Sequence, residues 1–258
     1  MSGLAYAVAD TAVIAKRNLL RIPRQPDLWV SFTIQPVIFV VLFVYVFGGA
    51  IQTPGYDDYV DFLMPGIIAQ TMTFGGVVTA IGLSDDLSKG LIDRFRSLPM
   101  ARSAVLAGRT LADIATNSVS IVVMVVVGLL VGFNFSSSPI EVIAGFALLL
   151  LFGYAFSWVF AFIALISNSS EGAQALGFIV IFPLTFASSA FVPPESMPSA
   201  IEAFANANPF STIVDATRAL FVGGPAGNDV WMAAVWCVVL IAIFGTLSVH
   251  RYRRAVSS

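Results

Sequence analysis

Six long apolar stretches, separated by polar segments, are the sequence feature that most restricts the fold. Each is close to the length of about 20 residues that a helix needs to cross the roughly 30 Å hydrocarbon core of a bilayer. Hydrophobic residues make up 58% of the chain and charged residues only 11%. Because backbone groups inside a bilayer must pair within the segment, we predict an all-α integral membrane protein with a single domain, residues 1–258. The predicted spans are 28–47, 62–83, 105–131, 142–166, 173–191 and 230–249.

The basic residues define an orientation for these spans. With the N-terminus in the cytoplasm, twelve of the thirteen Lys and Arg residues lie on the cytoplasmic side, and only Arg218 lies outside. Positively charged residues accumulate in cytoplasmic loops. We therefore predict that both termini are cytoplasmic and that the polar segment around residues 84–104 is a cytoplasmic loop.

This loop has the pattern of a short amphipathic helix. Its apolar residues recur at helical spacing and its charged residues lie on the other faces. The apolar positions are Leu87, Leu91, Phe95 and Leu98, and the charged ones are Asp93, Arg94 and Arg96. Gly90 weakens the middle, and Pro99 makes continuation of the helix beyond Leu98 unfavourable. The pattern fits an interfacial anchor and a docking element for a cytoplasmic protein equally well.

Two further segments do not read as spans. Residues 1–27 combine four basic residues with apolar residues at helical spacing, which indicates an interfacial helix or, alternatively, a solvated lead-in to the first span.

Residues 192–229 hold five prolines, and we predict a re-entrant helical hairpin in the outer leaflet. Within it, Asp215 and Arg218 have i,i+3 spacing and can pair. Exposed to water, such a pair would contribute little.

Several functional classes lack their residues in this sequence. Neither lysine is followed by Ser or Thr in a phosphate-binding loop, so the chain is not expected to bind ATP itself. One cysteine and one histidine give a metal site almost no ligands. A passive channel or secondary carrier remains the alternative function, although the span centres lack the ionisable groups that coupled carriers use. A lipid-modifying enzyme is a third possibility, but no nucleophile and base pair is evident.

The polar groups in the span centres are mainly amides. Gln35, Gln70, Asn117 and Gln174 can form hydrogen bonds between helices or can contact a transported molecule. We take Gln35, Gln70 and Asn117, together with Phe74, as the candidate substrate path.

Three regions resemble the ABC-2 type permeases, and within them the daunorubicin-resistance type of drug and lipid exporters. The first is KRNLLRIPRQPDLWVSFTIQPVIFVVLFVYVFGG with its Gln35-Pro36 pair. The second is MPG followed by KGLIDRFRSLPMARSAVLAGR, which resembles the coupling loop of the family and contains Gly90, Arg94, Arg96, Pro99 and Arg102. The third is SSAFVPPESMPSAIEAFANANPFSTIVDATRALFVGG, which resembles the outer hairpin; the matching positions are Phe191, Pro193, Met197, Pro198, Asn208, Pro209, Asp215 and Arg218.

The resemblance implies a type V ABC exporter-like fold with a cytoplasmic coupling helix. It implies a complex of two six-span chains and two separate ATPase subunits that bind ATP and Mg²⁺, located in the bacterial plasma (inner) membrane. The partners are then the ATPase, a second permease chain, identical or homologous, and membrane lipids; no nucleic acid is expected. The coupling loop would pass the movement of the ATPase to the spans, and the outer hairpin would act as a gate or as a simple lid.

One departure from the family pattern concerns the coupling loop. The family often has Glu-x-Gly-Thr before the basic segment, whereas this chain has Leu87-Ser88-Lys89-Gly90-Leu91. The glycine is kept, but no role for the acid and the threonine can be transferred. The identity of the cargo is not encoded in any motif, since an apolar path accepts drugs and lipids alike.

Overall fold

The computed structural model describes residues 11, 13–16, 26–51, 53–56, 58–88, 104–224 and 227–255. Across these ranges the chain is helical, with turns and short loops and no strand. The helices are α1 (Pro26–Val41, continued by a π-helical stretch, Leu42–Phe47), α2 (Tyr59–Ser88), α3 (Ala104–Leu130), α4 (Pro139–Ile166), α5 (Ser170–Phe186), α6 (Ser199–Ala207), α7 (Pro209–Val222) and α8 (Asp229–Ala255).

Several helices have the length and composition of membrane spans. Of the described residues, four helical segments are long and apolar enough to cross a bilayer: Tyr59–Ser88, Leu106–Leu130, Pro139–Ile166 and Asp229–Tyr252. Two shorter apolar helices, Ile34–Phe47 and Ser170–Phe186, fall on the first and fifth predicted spans. Large apolar side chains also point outward, including Val122 at 61%, Ile179 at 67% and Val238 at 60% exposure. The prediction of an all-helical, multi-pass membrane protein is confirmed.

Some helix ends differ from the predicted ones. Helix α2 continues to Ser88, so residues 84–88 belong to this helix and not to the loop that follows. Helix α5 ends at Phe186, five residues before the predicted end of span five. Its last carbonyls are satisfied by side chains instead, because Ser188 Oγ donates to Thr185 O at 2.5 Å and Asn208 Nδ2 donates to Leu184 O at 2.7 Å.

The core of the bundle lies between α2 and α4. A Ser138–Glu141 capping box starts α4: Ser138 Oγ accepts from Glu141 N, and Glu141 Oε2 accepts from Ser138 N. Gly76 of α2 lets the ring of Phe160 approach the helix backbone, since an added Cβ would collide with that ring. Gly66 makes a second close approach, with Ala190 O only 2.6 Å from the position of an added Cβ. Gly66 therefore allows the backbone at Ala190 to pack directly against α2.

The predicted outer hairpin consists of α6 and α7, which meet at Asn208. Helix α7 packs against α2, α4 and α8 and buries most of its length. Helix α6 is more peripheral: Ile201 and Phe204 are 44% and 45% exposed. The two helices therefore differ in role, with α7 part of the bundle and α6 at its surface.

Only part of the predicted N-terminal interfacial helix lies among the described residues. Residues 11 and 13–16 are helical. Ile14 is buried, and it lies so close to Gly108 that a Cβ added there would come within 2.7 Å of it. This segment therefore packs beside the start of α3; its position relative to the bilayer stays a prediction.

Candidate functional site

Most of the predicted coupling residues fall outside the described residues. These are Gly90, Leu91, Asp93, Arg94, Phe95, Arg96, Leu98, Pro99 and Arg102. Leu87 is described, and it lies in the last turn of α2, partly buried against the hydrophobic core. Leu87 therefore extends the second predicted span, whereas the sequence places it in a separate short helix. The charges beside it do not end α2, because Asp85 and Asp86 have partners on neighbouring helices.

A group of polar side chains joins the end of α2 to the starts of α3 and α5. We call it the polar cluster, and its members are Thr79, Asp85, Asp86, Arg109, Asp113 and Ser170. Arg109 Nη2 donates to Val78 O at 3.1 Å, and its Nη1 lies 4.0 Å from Asp86 Oδ2. Thr79 Oγ1 donates to Asp113 Oδ2 at 2.6 Å, and Ser170 Oγ donates to Asp85 Oδ1. The partners of Arg109 and Asp113 lie on other helices, which no local pattern in the sequence indicates.

At the other end of the bundle, Arg218 of α7 connects three parts of the chain. Its Nε donates to Phe62 O at 3.0 Å, and its Nη2 donates to Ser189 O at 2.9 Å. Its Nη1 pairs with Asp215 Oδ1 at 2.6 Å, as the i,i+3 spacing predicts. The guanidinium also lies over the Phe62 ring, with Cζ 3.8 Å from the centroid, in cation–π geometry.

The expectation that this pair is exposed to water is wrong. The Arg218 side chain is only 4% exposed and that of Asp215 38%, because α7 is enclosed by α2, α4 and α8. Burial raises the pKa of Asp215 above its ordinary value, while the charge of Arg218 and the hydroxyl of Ser189 oppose that shift. Burial likewise raises the pKa of the nearby Tyr56 phenol. The pair is thus part of the packed structure and not a surface contact.

The other predicted gate residues surround this site. Phe191 is buried and stacks on Phe43 with centroids 4.6 Å apart, and its carbonyl accepts a hydrogen bond from Tyr59 at 2.8 Å. Asn208 Oδ1 caps α7 by accepting from Phe210 N at 2.9 Å, and Pro209 occupies the first turn. The remaining gate residues, Pro193, Met197 and Pro198, flank the short 3₁₀ turn Pro194–Ser196 and the start of α6.

Three of the four candidate substrate-path residues lie together. Gln35, Gln70 and Phe74 line one narrow crevice between α1 and α2, with room for about one water molecule. Gln70 is 3% exposed, and its Nε2 has no hydrogen-bond partner. Asn117 is elsewhere: its amide packs between α2 and α4, where a Cβ added at Gly75 or Gly153 would collide with it. For Asn117, this position between two helices favours a role in helix packing over contact with a transported molecule.

A row of phenylalanine rings leads away from this crevice. Phe74 contacts Phe178 at 6.1 Å between centroids, and the row continues through Phe182 and Phe186 of α5 to Phe191. From Phe191 it reaches Phe43 and Phe47 in the π-helical continuation of α1. We call these seven residues the aromatic row. Their i,i+4 spacing within α5 is visible in the sequence, but the contacts between helices are not.

The described residues contain no group of three or more His, Cys, Asp or Glu side chains placed to hold a metal ion. The bundle contains instead the aromatic row, with the uncharged amides Gln35 and Gln70 at its crevice end. It also contains two ion pairs with little exposure, Arg109–Asp86 and Arg218–Asp215, near opposite ends of the bundle.

Comparison with known proteins gives relatives along almost the whole chain. It is 33% identical over 249 residues to the daunorubicin resistance ABC transporter permease protein DrrB1 of Streptomyces coeruleorubidus, covering 96% of this chain and 88% of that protein. It is 27% identical to the probable doxorubicin resistance ABC transporter permease protein DrrC of Mycobacterium tuberculosis, covering 96% and 90%. The putative transport permease ycf38 of Cyanophora paradoxa is 22% identical, covering 84% and 75%.

The family profile described as ABC-2 type transporter matches residues 10–222. This range includes the whole of the first and second regions of resemblance, and the third up to Val222. Together with the permease names of the relatives, the match confirms that the chain is a membrane permease rather than an enzyme. The chain belongs to the ABC-2 type transporter family.

Proposed function

We propose that the chain is the permease subunit of an ATP-driven ABC exporter. Its cargo is a hydrophobic or amphipathic molecule, a drug or a lipid, taken from the cytoplasm or the inner leaflet and released outside. The observation that carries the proposal is the similarity over 96% of the chain to a permease named for drug resistance. The aromatic row agrees with an apolar cargo, as does the crevice, whose lining among the described residues is uncharged.

The working complex in this proposal has a type V exporter-like architecture. Two permease chains, identical or homologous and each with six spans, assemble with two ATPase subunits that bind ATP and Mg²⁺. The complex lies in the bacterial inner membrane with the permease termini in the cytoplasm. Twelve of the thirteen basic residues on one side support this orientation.

Residues 84–104 are the proposed segment through which the ATPase passes its movement to the permease. The amphipathic spacing of Leu91, Phe95 and Leu98 leaves Arg94 and Arg96 on the other faces, where they can meet an acidic surface of the ATPase. The position of this segment supports the assignment, since it comprises the last turn of α2, residues 84–88, and the connection from α2 to α3, residues 89–103. Movement of the segment would act on both helices at once.

The outer region from Phe191 to Arg218 is the proposed gate. Phe191 connects the aromatic row to the Arg218 site through the backbone, because Ser189, two residues earlier, accepts from that guanidinium. A displacement of Phe191 would therefore act on α7 through Ser189. The alternative, a lid without a gating function, predicts that this region stays still during transport.

The crevice at Gln70 is the proposed start of the substrate path. A buried amide nitrogen without a partner costs free energy unless something accepts its hydrogen bond. A cargo carbonyl or hydroxyl in contact with the aromatic row could do so. Gln35 and Phe74 contribute to the same lining, while Asn117 is left out of the path.

The decisive experiment is purification of the permease with the ATPase encoded beside it, followed by reconstitution in lipid vesicles. We expect stable co-purification, ATP hydrolysis, and ATP-dependent movement of daunorubicin or of a fluorescent phospholipid. Arg94→Glu combined with Phe95→Ala should abolish co-purification and ATP-driven transport, whereas Arg251→Glu, an exposed basic residue of α8, should leave both intact.

The same experiment without ATP and without the ATPase tests the alternative of a channel or secondary carrier. If that alternative holds, the permease alone moves daunorubicin or the fluorescent phospholipid at the full rate down a gradient. That outcome would overturn the exporter proposal.

A further inference from the structure

The polar cluster contains charged groups that packing alone does not require. Arg109 and Asp86 have side-chain exposures of only 13% and 12%. Replacing a buried ion pair by apolar side chains is often neutral or stabilising, so such a pair is weak evidence of a role in stability. A charged pair enclosed at the adjoining ends of α2 and α3 is therefore a candidate for a functional contact.

Arg109 lies lengthwise along one face of α2. The residues beneath it, Val78, Gly82 and Asp86, follow each other at four-residue steps and so form one stripe of that helix. The guanidinium reaches the carbonyl at one end of the stripe and the carboxylate at the other. Gly82 in the middle leaves the necessary space, because an added Cβ would collide with the guanidinium.

This contact connects the two ends of the coupling segment. Residues 89–103 leave from the end of α2 and return at the start of α3, and Arg109 joins those helices within two turns of both points. Further along α3, Asn117, Ile121 and Met124 are buried in the bundle, whereas Val122, Val126 and Leu130 are exposed on the opposite face. At the start of α3, the polar cluster adds a charged contact with α2 to this apolar packing.

The cluster also extends to α5. Ser170, in the first turn of that helix, bonds to Asp85. Helix α5 carries Phe178, Phe182 and Phe186 of the aromatic row, which ends against Phe191. These contacts and the length of α5 thus connect the end of α2 and the start of α3 to the proposed gate.

We propose that Arg109 is a positioning residue for ATP-driven transport. It locks the start of α3 along α2, so that a displacement of residues 89–103 moves α2, α3 and α5 together and changes the outer region. This role rests on the proposed function, since it assumes that an ATPase displaces that segment.

The test measures a distance at the outer end of the bundle in the reconstituted complex with its ATPase. Cys237 is the single cysteine and is replaced by alanine. Spin labels are then placed at Tyr45 and Ile201, which are 70% and 44% exposed. Pulsed electron paramagnetic resonance compares the label distance without nucleotide and after trapping with ATP and vanadate.

We expect trapping to shift this distance in the otherwise wild-type complex and in Arg109→Lys, which keeps the charge. Arg109→Gln and Gly82→Ala should abolish the shift while ATP hydrolysis and co-purification persist. Gly82→Ala is the sharper variant, because alanine favours the helix and every polar group remains. Arg251→Gln, the same change at an exposed site, is the matched control and should keep the shift.

The outcomes separate the two proposals. A wild-type shift that Arg109→Gln and Gly82→Ala both retain overturns the role of Arg109 and leaves the exporter proposal intact. A wild-type complex that hydrolyses no ATP, or shows no shift on trapping, contradicts the proposed function and with it the role of Arg109. If Arg109→Gln fails to fold, Gly82→Ala and Asp86→Asn decide the question.

Discussion

Arg218 shows how much one buried side chain organises at the outer end of the bundle. Its guanidinium donates to the carbonyls of Phe62 and Ser189 and to the carboxylate of Asp215. Five donors in a planar fork allow arginine to serve several acceptors at once, which lysine cannot do. The site therefore depends on the residue type as well as on the charge.

We predict that Arg218→Ala destabilises the protein by about 3 kcal/mol. This is at the lower end of the cost of breaking a buried ion pair, because Asp215 stays partly exposed. Thermal unfolding in detergent should show the loss as a lower melting temperature. The melting temperature of Arg218→Lys should lie between those of Arg218→Ala and the wild type. Arg251→Ala, at an exposed position, is the control; equal melting temperatures for both variants would contradict the structural role of Arg218.

Gln70 and Asn117 are buried amides for which the structure predicts opposite behaviour. Gln70→Leu removes a donor without a partner, so stability should stay the same or rise, while binding of daunorubicin, measured by fluorescence quenching, should weaken if Gln70 contacts cargo. Asn117→Leu inserts a bulkier branched group against Gly75 and Gly153 and should cost about 1–3 kcal/mol. Loss of stability in Gln70→Leu would argue for an interhelical role instead.

At the scale of elements, the connection between α5 and α7 depends on Asn208. Its Oδ1 caps α7, and its Nδ2 donates to the carbonyls of Leu184 and Ala187 at the end of α5. The same side chain thus starts one helix and completes the end of another. A deletion of residues 193–223 is therefore unsuitable as a test of the proposed gate. It would remove the buried helix α7 together with α6 and so disrupt the bundle.

We predict that Asn208→Ala destabilises the protein by about 1–2 kcal/mol through the lost cap, with a further loss from the unpaired carbonyls. Asn208→Asp keeps the cap but not the two donated bonds, and its melting temperature should lie between those of Asn208→Ala and wild type. If Asn208→Asp were as stable as wild type, the bonds to α5 would have no energetic role.

For the whole molecule, the charge distribution predicts which end faces the cytoplasm. In the Cys237→Ala background, Glu202→Cys should react with a membrane-impermeant maleimide in intact cells. Ser88→Cys and Glu171→Cys, at exposed ends of α2 and α5, should react only after the membrane is permeabilised. Reversed labelling would show that the basic residues lie outside.

Periodicity and composition alone determined the helical class, the approximate spans and the pairing of Asp215 with Arg218. These follow from local rules, since a bilayer sets helix length and i,i+3 spacing brings two side chains together on one helix. The burial of that pair was not predictable, because it depends on α2, α4 and α8 enclosing α7. In the same way, Leu87 belongs to α2 because partners on α3 and α5 satisfy the acidic residues beside it.

The sequence by itself thus established a multi-pass bundle, its distribution of charge and its resemblance to a permease family. Only the tertiary structure decided what each polar side chain contacts. Gln70 lines the crevice, Asn117 packs against Gly75 and Gly153, and Arg109 lies along the stripe of Val78, Gly82 and Asp86 on α2. The physical reason is that helix formation depends on neighbours within a few residues. Contacts between helices depend instead on side chains far apart in the chain, whose fit in size and charge no local pattern records.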